Sequence, residues 1–312
     1  MEGFLIFSFS VFQFPWLELF RFAARTIIPM SPPFIDTHVH FWDQRLLPYP
    51  WLVEVPSIAG PHTPAELCAE AVPDHPVKMV FVECGAPGLD EVRWITQLAA
   101  TEPRLAGIVA KIPVDTGAYT NAAIARLQKN PLVRGVRHLI QGEIDPDFCV
   151  RPEFIAGVRA LGAAGLSFDL CCRHHQLDAV GRLVSACPGT RFILDHFGKP
   201  DIKAGLVEPW SRHITALAAL PNVDCKLSGL ITEADHLAWT IDHLRPYVDH
   251  VLATFGPHRL LFGGDWPVVK LAGTYTRWLD TARALVSHLS PPAQAAIFHD
   301  NALRVYRLAS DK

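Results

Sequence analysis

Short apolar runs recur along this chain eight times, on average about one strand-and-helix unit apart, and that rhythm constrains the fold more than any other feature. The runs cover residues 34–38, 77–84, 105–112, 133–140, 167–173, 191–196, 223–229 and 260–266, so their starts advance by about 32 residues. A strand with its crossover helix occupies roughly thirty residues or more. Val77–Glu83 and Arg191–His196 are rich in β-branched and aromatic side chains without clean alternation, the pattern of parallel strands covered on both faces. Between the runs, Thr63-Pro64-Ala65-Glu66 offers a capping hydroxyl, a first-turn proline and a capping-box glutamate. Gly165 and Pro188-Gly189 fall where helices should stop. Eight such units with right-handed crossovers predict an α/β fold of the (β/α)8 TIM-barrel type. No glycine-rich phosphate loop follows the first run, which counts against an open nucleotide-binding sheet.

The barrel is expected over residues 31–312 as a single domain, with 1–30 as an N-terminal extension. Residues 3–20 are apolar, but Glu2 precedes them and Gln13, Pro15 and Glu18 interrupt them. That pattern weakens a signal-peptide or spanning-helix reading and leaves a peripheral anchor or a weak signal as the alternative to a misplaced start. The expectation is a start placed too early, with Met30 opening the working protein and no stable membrane insertion. Residues 293–308, entered through Pro291 and Pro292, predict a closing helix. The 28 Lys and Arg against 31 Asp and Glu leave a net charge of −3, which gives no electrostatic footprint for nucleic acid. Seven cysteines without a CxxC pair argue against a disulfide framework and for a reducing, cytoplasmic setting. Nothing in the sequence speaks to oligomeric state.

In such a barrel the chemistry gathers where strands end. The polar residues at those places are His38 and His40 on the first strand, Glu83 on the second and Lys111 on the third. Arg137 and His138 end the fourth, Arg173 and His174 follow the fifth, and His196 ends the sixth. Lys226 and Ser228 end the seventh, and Asp265 the eighth. His38 and His40 stand two apart and should face the same side, either as ligands of one metal or as donors to a carbonyl or carboxylate. Barrel closure should bring Asp265 beside them, as a metal ligand or a base for water; the plain alternative is a helix cap. Asp195 is expected to face the helices and His196 the lumen. Arg137 and Arg173 could hold substrate oxygens, or bridge to Glu83 or Asp169. Trp42, Trp51 and Trp266 crowd the rim and could wall a small polar ligand, whereas Trp210, Trp239 and Trp278 fall in helical stretches. Residues 41–62, rich in proline and aromatics, should form a loop over the mouth.

Ile35-Asp36-Thr37-His38-Val39-His40-Phe41-Trp42-Asp43, Tyr49-Pro50-Trp51-Leu52, Val136-Arg137-His138, Leu194-Asp195-His196-Phe197-Gly198-Lys199-Pro200 and Phe262-Gly263-Gly264-Asp265-Trp266-Pro267 together resemble the amidohydrolase-related family of TIM-barrel hydrolases. Within it they are most similar to the sugar-lactone hydrolases, the branch of L-fuconolactonase and L-rhamnonolactonase. The resemblance covers about residues 33–309. It implies hydrolysis of a small lactone by an activated water, with Asp265 and His196 catalytic. It also implies that His38, His40, His196 and Asp265 would be the ligands of one divalent metal ion, zinc, if a metal is bound. Many metal-dependent relatives end the fifth strand in a histidine, where this chain has Cys171-Cys172-Arg173 before His174, so metal-independent catalysis is the alternative. Glu83, Arg137, His138, Arg173, His174, Trp42 and Trp266 are the expected substrate-binding residues. Two other readings compete: a metal-dependent decarboxylase of the same superfamily acting on an unsaturated carboxylic acid, and a catalytically silent barrel serving as a binding protein.

Overall fold

The computed structural model describes Met1 and residues 32–310; the expected extension lies outside the described residues, apart from Met1. Eight parallel strands run in chain order: β1 (Ile35–Val39), β2 (Lys78–Val82), β3 (Leu105–Ala110), β4 (Val133–Leu139), β5 (Ser167–Cys171), β6 (Phe192–Leu194), β7 (Val223–Leu227) and β8 (Leu260–Phe262). The helices alternate with them: α1 (Pro64–Glu70), α2 (Asp90–Ala99), α3 (Ala118–Leu127), α4 (Pro152–Ala163), α5 (Leu177–Ala186), α6 (Trp210–Ala218), α7 (Ile241–Phe255) and α8 (Tyr275–Val286). Closure between β1 and β8 uses backbone beyond the strand ends. Asp265 donates its N–H to His38 O at 2.7 Å, and His40 donates to Trp266 O at 2.7 Å. The fold is the expected (β/α)8 barrel, and each strand falls within its apolar run except β1, which extends one residue further, to Val39.

Two layers of core hold it. The larger lies between strands and helices and includes Trp210 and Trp278; Trp239 precedes α7 in a turn, donating its indole N–H to Ala272 O at 2.7 Å. The smaller fills the lumen with Ile35, Val80, Val82, Val109, Ile193 and Leu261. Its floor comes from the end of the chain. Pro291–Ala295 (α9) passes through a π-turn at Ala296–Asp300 into α10 (Asn301–Val305), and Ala302, Val305 and Tyr306 pack upward into the lumen. The closing helix therefore begins at its two prolines, which suit a first turn because they lack the N–H that would go unsatisfied.

The strands β6 and β8 are shorter than their apolar runs. Backbone conformation explains the difference, since His196 (φ 53°) and Asp265 (φ 55°) are left-handed and cannot continue a ladder. Thr63 caps α1 by accepting from the Glu66 amide at 3.4 Å. The Glu66 carboxylate, expected to return to the cap, instead meets His62 at 2.9 Å and Lys270 at 3.1 Å. Residues 41–62 fold back on themselves, with Trp42 and His62 exchanging backbone hydrogen bonds of 3.2 and 2.7 Å.

Candidate active site

The first strand would not by itself point its histidines inward. Ile35 packs in the lumen, and strict alternation would put Thr37 and Val39 on that side as well. The pairing of β1 with β2 runs Ile35↔Lys78, Asp36↔Met79, then Val39↔Phe81, so β1 carries one extra residue. Such a bulge re-aims the side chains beyond it. Asp36 is left facing α8, where it accepts from Tyr275 Oη at 2.8 Å and from the Gly264 and His38 amides at 2.8 and 2.9 Å. Burial is the main influence on this carboxyl, raising its pKa to about 6 against those hydrogen bonds. His38 and His40 turn inward, their Nε2 atoms 3.1 Å apart.

Asp265, far along the chain, meets them at the same end of the barrel, just past β8. Its Oδ1 lies 3.4 Å from His40 Nε2, 3.7 Å from His38 Nε2 and 4.0 Å from His196 Nε2. Burial opposes its ionisation, but the three imidazoles outweigh that and hold its pKa well below the usual carboxylate range. His40 donates from Nδ1 to Val82 O at 2.8 Å; a carbonyl only accepts, so the neutral ring keeps its lone pair on Nε2. His196 is held through Nδ1 by Ser228 Oγ at 2.9 Å, and burial lowers its pKa to about 4. His38 is also held well below the usual imidazole range, first by burial and then by Lys226. Both its ring nitrogens face pure donors, Lys226 Nζ at 3.1 Å and Arg137 Nη1 at 3.3 Å. A neutral imidazole offers one acceptor, so only one of these contacts is a hydrogen bond at a time.

A metal ion suits this donor set. The ligand atoms of His38, His196 and Asp265 lie within 4.8 Å of one another, and His40 Nε2 adjoins two of the three. Zinc bonds of about 2.0–2.2 Å place neighbouring ligand atoms roughly 3.3 Å apart, close to the separations given above. His40 already has the tautomer that coordination requires, because its second nitrogen is engaged on a backbone carbonyl.

Beneath the histidines lies a buried charge network. Lys226 Nζ reaches Asp169 at 2.7 Å and Asp195 at 3.0 Å, and Tyr306 Oη donates to Asp169 at 2.7 Å. Arg137 donates to Glu83 Oε1 at 2.9 Å, to Glu83 O at 2.6 Å and to Asp195 Oδ2 at 3.2 Å. Of the alternatives open to Arg137, the structure selects the bridge to Glu83. Asp195 was expected to face the helices, and this is corrected. It follows Ile193 by two positions and so points into the lumen with it. The turn after it then brings His196 inward too, because a left-handed residue breaks strand alternation.

A cavity of about 250 Å³ opens above the cluster, lined by His40, Arg137, His196 and Asp265 together with Trp51, Cys84, Leu139, Gln141, Cys171, Lys199 and Val268. Several residues expected here stand elsewhere. His138 alternates outward from Arg137 and pairs with Glu143 at 2.8 Å. Arg173 is exposed past the end of β5, and His174 donates to Lys199 O at 3.1 Å. Glu83 is fully buried behind Arg137. Trp42 and Trp266 pack against His62 in the wall below the mouth, while Lys111 donates to Gly85 O at 3.3 Å. Gln141, Lys199 and Cys171 were not singled out as binding residues. Lys199 had a signal, standing three residues after His196 within the quoted Leu194–Pro200 string, but Gln141 had none.

The amidohydrolase family profile matches residues 35–308. The chain belongs to the amidohydrolase family. This amidohydrolase is 32% identical over 282 residues to the L-fucono-1,5-lactonase of Burkholderia ambifaria, spanning 88% of this chain and 95% of that protein. It is 33% identical over 298 residues to the L-fucono-1,5-lactonase of Burkholderia multivorans, spanning 88% and 96%. An amidohydrolase from Burkholderia multivorans solved with bound zinc superimposes with a TM-score of 0.82 at 30% identity, covering 89% of this chain and all of that one. No helix among the described residues is long and apolar enough to cross a membrane.

Proposed function

We propose that this amidohydrolase opens a small sugar lactone by adding water across its ring ester, with Asp265 as the base. The observation that carries the reading is the Asp265 carboxylate, set among three inward-facing imidazoles at the bottom of a ligand-sized cavity. The relatives named as L-fucono-1,5-lactonases support the lactone class, and neither the decarboxylase nor the silent-barrel reading draws support from them.

Asp265 takes a proton from water as the water oxygen bonds to the lactone carbonyl carbon. The bond from that carbon to the ring oxygen then breaks, and the proton passes from Asp265, directly or through His196, to the departing alkoxide. Base catalysis of this kind contributes about 10²–10⁴-fold. A carboxylate held so strongly ionised is a weak base toward ordinary water, so the nucleophile must be acidified where it binds. His38, His40, His196 and Asp265 would hold a divalent ion, zinc by analogy with the solved relative, which when bound lowers the pKa of water and polarises the carbonyl. Arg137, already balanced by Glu83 and Asp195, fixes the lumen-side edge of His38 rather than gripping substrate. All seven cysteines are free, which supports a reducing, cytoplasmic setting.

The test is an indicator-monitored hydrolysis screen across aldonolactones, run as purified, after chelation and after zinc reconstitution. Turnover of an aldonolactone is expected, reduced by chelation and restored by zinc. Absence of turnover with every lactone in the zinc-loaded protein sinks the reading.

A further inference from the structure

Two side chains on the cavity wall take no part in the steps above, and the fold goes to some expense to place one of them. Residues 196–199 are all left-handed, with φ of 53° at His196, 55° at Phe197, 68° at Gly198 and 51° at Lys199. Each non-glycine residue in that conformation costs about 1–2 kcal/mol, so the turn persists only because its surroundings over-determine it. Trp210 Nε1 donates to Phe197 O at 2.7 Å, the Lys199 amide donates to His196 O at 2.8 Å, and His174 holds Lys199 O. The outcome is that His196 and Lys199 line one cavity.

The ammonium of Lys199 sits 3.3 Å from Glu233, and both side chains are 18% exposed. It is therefore a charge-balanced donor rather than a free cation. Across the cavity, Gln141 lies in a tight turn after β4 (Ile140–Gly142). Its Oε1 has no hydrogen-bond partner and is out of reach of solvent in this rotamer, so a turn of the side chain is what would bring it to a ligand hydroxyl in the cavity that Gln141 lines. A buried acceptor left unsatisfied costs about 1–3 kcal/mol, a penalty that a ligand hydroxyl would remove. The other cation on the wall, Arg137, is committed to Glu83 and Asp195, so no unbalanced charge is available for a substrate carboxylate. Trp51, fixed by its indole N–H on Cys84 O at 2.7 Å, supplies an apolar wall.

We propose that Gln141 and Lys199, with Glu233 balancing the lysine, read the ring hydroxyls of the substrate. This wall selects neutral, polyhydroxylated lactones over bare ones and over lactones that carry a carboxylate. The inference rests on the lactone-hydrolase reading and deepens it.

The experiment measures kcat/KM for an aldono-1,5-lactone, for unsubstituted δ-valerolactone and for a carboxylate-bearing lactone of the same ring size, with folding checked by circular dichroism. Gln141→Leu and Lys199→Met should each lower the preference for the hydroxylated ring over the bare ring by about tenfold or more, as expected for a lost hydrogen bond. Glu233→Gln should raise turnover of the carboxylate-bearing lactone relative to the neutral one. Gln141 stands on a separate turn, so its variant decides the matter even if Lys199→Met does not fold. Preferences unchanged within about twofold in folded variants of an active enzyme overturn this inference alone, whereas a wild-type protein that opens none of the three removes the lactone reading and the inference with it.

Discussion

The backbone amide of Asp265 hydrogen-bonds to the carbonyl of His38 at 2.7 Å, so the bond that closes the barrel also sets the distance between the carboxylate and the histidine pair. Asparagine is the informative replacement at 265. It tolerates the left-handed conformation at φ 55° better than alanine does, and the closing bond is made by backbone. Asp265→Asn should keep its thermal transition but lose kcat by about 10²–10⁴-fold. It should also hold less than the one equivalent of metal per chain expected in the wild type by elemental analysis.

Arg137 is the sole partner of neither Glu83 nor His38, yet it touches both along with Asp195. Removing it leaves Glu83 without a facing cation and Asp195 with Lys226 alone. Arg137→Met should lower stability by about 3–5 kcal/mol, the usual result of breaking a buried pair from one side, measured by chemical denaturation. A change below about 1 kcal/mol would show that the network matters little to the fold.

Glu91 lies behind the cavity wall, its carboxylate accepting from the Cys84 amide at 3.1 and 3.2 Å. Burial, followed by the charge of Glu83, pushes its pKa up to about 8 from an ordinary 4.5. Because the folded state keeps a proton that the unfolded state has lost, this residue lowers stability progressively as pH rises from about 4.5 to 8, and its effect is level above that. The total is on the order of a few kcal/mol. Glu91→Gln should flatten the dependence of thermal stability on pH across that window. A slope equal to that of the wild type would assign the proton elsewhere.

Gly229 follows β7 with φ 62°, and a Cβ there would lie 2.3 Å from His196 Nδ1 and 2.6 Å from its Cγ. Gly229→Ala must therefore displace the ring or the turn. The expected result is a loss of about 10²-fold in kcat from misplaced chemistry, together with strain of about 1–2 kcal/mol. A variant with full activity would mean that His196 does not need its observed position.

The barrel and the meeting of His38, His40 and Asp265 were legible because they follow from long-range repetition: eight apolar runs, each followed by a helix-length stretch, leave few other closed arrangements. Local backbone departures were not legible. The extra residue in β1 and the left-handed turn at 196–199 each change which way side chains point, and neither has a clear composition signature, since Phe197 and Lys199 are not residues that favour positive φ. That is why Asp195 was expected among the helices and Lys199 was passed over. His138 shows a milder limit. Alternation along β4 allows only one of two adjacent residues to face inward, and the sequence alone did not say whether that one was Arg137 or His138.

Among the described residues, the closing helix stoppers the lumen from below with Val305 and Tyr306, so the cavity bordered by Trp51 and Lys199 opens away from that floor. Substrate and product then share that opening. For a lactone opened inside, the newly made hydroxy acid blocks the next arrival until it departs, so inhibition by product should be competitive and should ease as that aperture is widened.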